Sequence, residues 1–328
     1  MDKFERAERL IKERADKWHL IMIYNPINVA KLSEDKDIKL EWLVKDLIPL
    51  NEPTMFYGGG GSFKSTLVLH LALCIQAGLP FHYLETKPMR VLLLSLEGHR
   101  DVAPRCEAHW RKYGKSKVTW FAVEKKLFMF GNKEHESALY DLIRLQKIGL
   151  LIIDTLSLST EGDINSSSTS GMVTRQLRRM CNDLALTIIL IHHTGKEDRK
   201  GMKGASEFSN NVPCVIRVKN KRIIVEKQRS GRAGLSLAFD SEQVQINDEG
   251  DTAICVTWKQ GEIKTLFHQY QQLHGPDLDK KQLIDFVLEH LDGTKSRDNV
   301  RTQVNRELAK QLTETKPKRP NKQVWKTN

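Results

Sequence analysis

With 328 residues, a hydrophobic share of 40% and a charged share of 28%, the chain can bury a substantial core and has the composition of an ordinary globular protein. No apolar run approaches the roughly 20 residues that span a bilayer, and residues 1–9 mix both charge signs where a signal peptide would be apolar, which argues against a membrane or secreted role. The formal net charge of +11 leans toward an anionic partner such as nucleic acid, although solubility alone explains many basic proteins.

Residues 1–39 read as a helical segment and linker, with Phe4, Leu10, Ile11 and Trp18 at amphipathic spacing. The run Leu40-Glu41-Trp42-Leu43-Val44 leads into the first core element. Thr54-Met55-Phe56-Tyr57 is a predicted strand that runs straight into four glycines, and residues 65–77 follow with helical spacing. Apolar runs at 90–96, 118–123, 150–154 and 187–192 predict strands buried on both faces, with helical patterns near 101–113, 134–147 and 168–186 between them. Such alternation implies crossover connections and a mainly parallel sheet. Four more strands, near 212–218, 222–226, 235–239 and 253–258, are joined by short turns and predict an antiparallel extension of the same sheet. The core therefore spans 40–262. A small basic helical region, 275–328, closes the chain with helical patterns at 278–291 and 297–312. The five cysteines, Cys74, Cys106, Cys181, Cys214 and Cys255, are scattered without a C-x-x-C pair. Their spacing argues against a disulfide framework or a zinc site and for the reducing cytoplasm, where they serve as small apolar core residues.

The stretch Gly58-Gly59-Gly60-Gly61-Ser62-Phe63-Lys64-Ser65 between a strand and a helix fits the phosphate-loop pattern G-x-x-x-x-G-K-[ST], except that Phe63 replaces the second glycine. Glycines let backbone N–H groups turn inward around a phosphate, and the following helix presents its positive end. Residues 58–66, Thr66 included, are the expected ATP-binding segment. Lys64 can reach the β- and γ-phosphates, and the Ser65 hydroxyl can join a Mg²⁺ shell. Phe63 is expected to take a backbone angle suited to a non-glycine residue.

Hydrolysis also needs an acid for the metal and a group that polarises water, both at carboxyl ends of neighbouring strands. Asp154 ends one apolar run and is the candidate metal acid; a helix-capping aspartate is the competing reading. Glu97 ends another and is the candidate for polarising water, against a plain loop glutamate. His192 and His193 end a third. Neighbours on a strand point to opposite faces, so they do not share one ion. One of them, assigned to His192, would sense the γ-phosphate while the other packs. Ser157, Thr160 and Ser166–Ser170 read as loop and helix-cap residues.

In this order the motifs resemble those of RecA-like ATPases of the RepA and DnaB replicative helicase type, found in plasmids and phages. The resemblance covers about residues 40–240 and rests on Trp42–Leu47, the phosphate loop, Leu96-Glu97-Gly98, Ile152-Ile153-Asp154-Thr155, His192–Lys196, Gly201–Ser206, and the hairpin Lys227-Gln228-Arg229. It implies a ring, hexameric by expectation, or a filament whose ATP sites lie between subunits. Lys227 and Arg229 would then reach a neighbour's γ-phosphate, as their shared side of a strand at spacing two permits. Single-stranded DNA would run through the centre, on Lys200 and Lys203 and more weakly on residues 161–170. The last 34 residues carry ten Lys/Arg against three acidic residues, so a helix-turn-helix with Arg297, Arg301 and Arg306 toward DNA is weighed evenly with a solvated helix pair. A RecA-like recombination or annealing ATPase, which shares this core, and a nucleotide-switched DNA-binding module of weak turnover stay open as alternatives.

Overall fold

The computed structural model describes residues 40–114, 121–123, 128–163, 166–193, 206–258, 267, 270, 279–289 and 296–314. The chain divides into a unit of residues 1–41 and a unit of residues 42–328. The amphipathic pattern of residues 1–20, Lys200, Lys203 and the linker Asp292-Gly293-Thr294 lie outside the described residues.

A short antiparallel pair, β1 (Trp42–Val44) and β2 (Ile48–Pro49), precedes the main sheet. That sheet has nine strands in the order β11-β10-β9-β8-β3-β7-β6-β4-β5. β3 (Pro53–Gly58), β4 (Arg90–Ser95), β5 (Phe121–Val123), β6 (Ile148–Asp154), β7 (Thr187–His193) and β8 (Cys214–Lys219) are all parallel. β9 (Arg222–Gln228), β10 (Ser236–Gln245) and β11 (Thr252–Trp258) continue it in antiparallel fashion. The expected mixed α/β core is therefore present, with one correction. The first strand of the extension, β8, lies parallel to β3, because α5 (Ser206–Asn211) precedes it and returns the chain to the other end of the sheet.

Alternation along the strands loads both faces. Phe56, Leu150, Ile152, Ile189 and Ile191 point into one cluster with α1 (Lys64–Ala77) and Cys106 of α2 (Val102–Tyr113). Met55, Leu151, Ile153, Ile188 and Leu190 point into the other, under α3 (Lys133–Gln146) and α4 (Ser167–Leu184). Each fully buried side chain of this size contributes roughly 1.5–3 kcal/mol. α1 is buried almost all round, because the sheet curls until β11 also lies against it: Trp258 of β11 meets Phe81 and His70 at ring-centroid distances of 4.8 and 5.7 Å. Ser166 caps α4, accepting from Thr169 N at 3.3 Å, as a helix-start serine should. All five cysteines are free and buried.

Near the carboxyl end, α6 (Lys280–Glu289) and α7 (Arg297–Glu314) share a small core of Leu283, Val287, Val300 and Val304 with Phe267 and Tyr270. Arg297 pairs with Asp285 at 2.6 Å. It lines a pocket with Arg301, Lys280 and Lys281, so the basic face of these helices is concentrated at one place. Among the described residues no helix is long and apolar enough to cross a membrane.

Candidate nucleotide site

Strands β3, β7, β6 and β4 end side by side, and this row assembles the site. Gly58 is in register with His193, Ile191 with Asp154, and Asp154 with Ser95. A strand thus separates the glycine loop from Asp154, and Glu97 follows on the far side of Asp154. The N–H groups of Leu96 and Glu97 both donate to Asp154 O, at 2.7 and 3.2 Å, which fixes the two acids as neighbours.

The loop has the geometry of a phosphate cradle. A Cβ on Gly58 would stand 2.3 Å from the carbonyl oxygen of Val218, so only glycine fits against β8 there. A Cβ on Gly59, Gly60 or Gly61 would meet nothing within 4 Å, which leaves open space beside the backbone. α1 begins at Lys64 with no side-chain cap and no acid in its first turn. A buried, uncapped helix start is a binding surface for an anion. Lys64 is itself buried and donates to Gly59 O at 2.7 Å and Ser62 Oγ at 3.2 Å, so it lies folded across the loop.

Phe63 departs from expectation. It stands at φ 68°, ψ 18°, in the left-handed region where the pattern's glycine would be at ease, and not at an angle suited to a bulky residue. The cost is about 1–2 kcal/mol. The ring offsets part of it by packing on the core and under Lys221, whose Nζ is 5.5 Å from the ring centroid. Phe63→Gly should therefore be more stable than Phe63→Ala by about 1 kcal/mol in denaturant unfolding. Equal or inverted stabilities would mean that the backbone angle carries no strain.

Asp154 is buried, and burial raises its pKa against the lowering effect of its hydrogen bond with Ser65. Its Oδ1 is buried without a hydrogen-bond partner among the described residues. An orphaned carboxylate oxygen beside a serine hydroxyl is a donor set for a hard divalent cation, so these residues fit Mg²⁺. Lys64 is pushed down to about 8 by burial, which Asp154 and Glu97 partly oppose. A triphosphate against this ammonium favours its charged form. ATP binding near pH 8 should therefore take up protons, and affinity should fall as pH rises beyond it. Calorimetry in buffers of different ionisation enthalpy checks this; no uptake, or equal uptake by Lys64→Met, contradicts it.

The two histidines divide as strand geometry requires. His192 is buried, held down to about 4 by burial with His193 and Lys64 nearby, and its Nδ1 has no partner among the described residues. His193 Nε2 instead lies 3.3 Å from Glu97 Oε2, a contact that the sequence pattern did not single out. Arg105 of α2 also went unnoticed. It lines the pocket between Ser65, Glu97 and Asp154, where it pairs with Asp101 at 3.1 Å. No motif surrounds it, so only the fold shows its place.

Lys227 and Arg229 are not part of this row. Val215 on β8 is in register with both Lys227 and Met55, and Arg229 N donates to Pro213 O at 3.0 Å. Arg229 therefore stands level with the start of β3, about 16 Å along the strand direction from Gly58 at ~3.3 Å per residue. Lys227 Nζ donates to Ser209 O and Asn210 O, at 3.0 and 2.7 Å, at the carboxyl end of α5. Arg178 of α4 donates to Asn211 O at 3.2 Å beside it.

The family described as AAA domain matches residues 26–199, more than half of the chain. No curated protein matches it. Among solved structures, a KaiC-like protein from the hyperthermophilic archaeon Pyrococcus horikoshii OT3 is similar at 15% identity and a TM-score of 0.42, over 65% of this chain and 93% of that one. The RadB recombinase is similar at 15% identity and a TM-score of 0.42, over 58% of this chain and 87% of that one.

Proposed function

The chain belongs to the AAA-domain family, and from that premise we propose that it is an ATP-hydrolysing motor on single-stranded DNA, of replicative helicase type, whose sites are completed by a neighbouring subunit. The observation that carries this reading is the separation just described. One subunit offers a cradle, a metal acid and Glu97 at the carboxyl ends of the parallel strands, and an exposed arginine level with their opposite ends, out of its own reach. Cations placed so serve a second copy packed against that end of the sheet in a ring or filament.

In this reading Gly58 to Thr66 hold the triphosphate, and Lys64 leaves Gly59 O for the β- and γ-phosphates. Ser65 and Asp154 would hold Mg²⁺, which neutralises charge on those phosphates when bound. Glu97, steadied by His193, polarises the attacking water. Arg229 of the neighbour answers the charge that develops on the transferred group, with Lys227 beside it. His192 senses the γ-phosphate end of β7. The basic pocket around Arg297 and Arg301 is the described surface best suited to a nucleic-acid backbone.

ATP hydrolysis measured with and without single-stranded DNA tests the reading, followed by strand displacement on a forked substrate. Stimulation with displacement is expected. Stimulation without displacement would leave a recombination or annealing ATPase, and the absence of stimulation would leave a nucleotide-switched binding module.

A further inference from the structure

The spacing of the cysteines argues against a zinc site, yet the fold brings a distant histidine onto a histidine–cysteine pair of one helix. His70 and Cys74 are one turn apart on α1, and His109 comes from α2. Each is 4% exposed. His70 Nδ1 lies 3.0 Å from His109 Nδ1, and His70 Nε2 lies 3.7 Å from Cys74 Sγ. One ligand atom from each of the three falls within 4.8 Å of the others. We propose that His70, Cys74 and His109 form a buried transition-metal site that takes a zinc-class ion on two imidazole nitrogens and one thiolate.

The chemistry of the set favours such an ion. Two imidazoles and a thiolate suit zinc and its soft neighbours, and exclude the hard cations that the oxygen donors around Asp154 suit. Burial holds His70 down to about 3 and His109 down to about 4, so both rings are neutral and keep a lone pair. The direct contact between two Nδ1 atoms means that one ring carries a proton there and the other does not. A cation in that place replaces the shared proton, which moves to the other nitrogen of the ring that held it. The Cys74 thiol proton leaves to solvent, so one proton is released per ion.

Tetrahedral coordination at about 2.0–2.3 Å places ligand atoms roughly 3.3–3.6 Å apart. The two short contacts engage different nitrogens of His70, so an ion takes one of them, and closing the set from within 4.8 Å needs a side-chain shift of about 1 Å. Cys255 of β11 lines a narrow pocket with His70 and His109, and a water entering that pocket would complete the four-coordinate set. Thr66 and Arg105 line the same pocket, at its end toward the nucleotide site. The ion would tie the helix that starts at Lys64 to the helix that follows Glu97, pinning the two halves of the nucleotide site at their far ends.

Cobalt(II) added to the tag-free full chain after chelator treatment is the test. One equivalent should produce the sulfur-to-metal charge-transfer band and the visible bands of a tetrahedral site, and zinc should displace it. Zinc alone should raise the melting temperature of the wild type. Cys74→Ser should lose the charge-transfer band, and His109→Gln should lose the tetrahedral bands and the zinc-dependent shift. Cys181→Ser, on the other face of the sheet, should keep all of them. A wild type with no bands and no zinc-dependent shift overturns the site, as do bands that survive in Cys74→Ser or vanish in Cys181→Ser. Should Cys74→Ser or His109→Gln fail to fold, the wild-type titration still decides.

Discussion

Arg229→Ala is expected to cut ATP turnover by about 10³-fold or more while ATP binding stays intact, the loss that follows removal of an arginine finger. Binding survives because the cradle, Lys64, Ser65 and Asp154 lie at the opposite ends of the strands. The mixture is more telling than the single variant. Lys64→Ala has a dead loop and an intact Arg229, whereas Arg229→Ala has the reverse. Neither should turn over alone. Mixed in equal amounts, about one quarter of randomly formed junctions join an intact loop to an intact finger, and activity should return to that order. An Arg229→Ala protein with full activity would remove the shared-site proposal. So would mixtures that stay inactive although Arg229→Ala binds ATP and the two chains assemble.

The second large effect is expected of Glu97→Gln, a loss of about 10²–10⁴ in turnover with nucleotide affinity unchanged. The amide preserves size and can still face His193, but it cannot draw a proton from water. Asp154→Asn is the contrasting variant. It removes a metal acid and should weaken Mg²⁺-dependent binding itself, so single-turnover hydrolysis and equilibrium nucleotide binding separate the two carboxylates. If Glu97→Gln hydrolyses ATP at the wild-type rate, the glutamate is a loop residue and the water is polarised elsewhere.

Much of this frame was legible in the chain because its signals are local. The strand Pro53–Gly58, the glycines, and the helix from Lys64 are contiguous. The apolar runs ending at Ser95, Asp154 and His193 announce buried parallel strands by composition alone. What escaped notice is non-local or lies in the backbone. Nothing in the side chain of Phe63 reveals a left-handed φ, because that angle is imposed by the loop that must close ahead of α1. The parallel direction of β8 depends on the six residues of α5, too short a helix to stand out by periodicity. His193 and Glu97 meet only because three strands end level. His70 and His109 are 39 positions apart and meet only because α1 and α2 pack on the same face.

The bare amino end of α1 has one more consequence. A helix that starts beside this open loop without a side-chain cap leaves its first peptide donors to solvent, and an anion there would complete bonds that the fold itself does not. Under the proposed function nucleotide would be a structural partner as well as fuel, and at a hundredfold excess over Kd it would add about 2.7 kcal/mol to stability. Protease resistance and survival in the cell would accordingly follow the supply of triphosphate, and chains starved of it would be the first to be cleared.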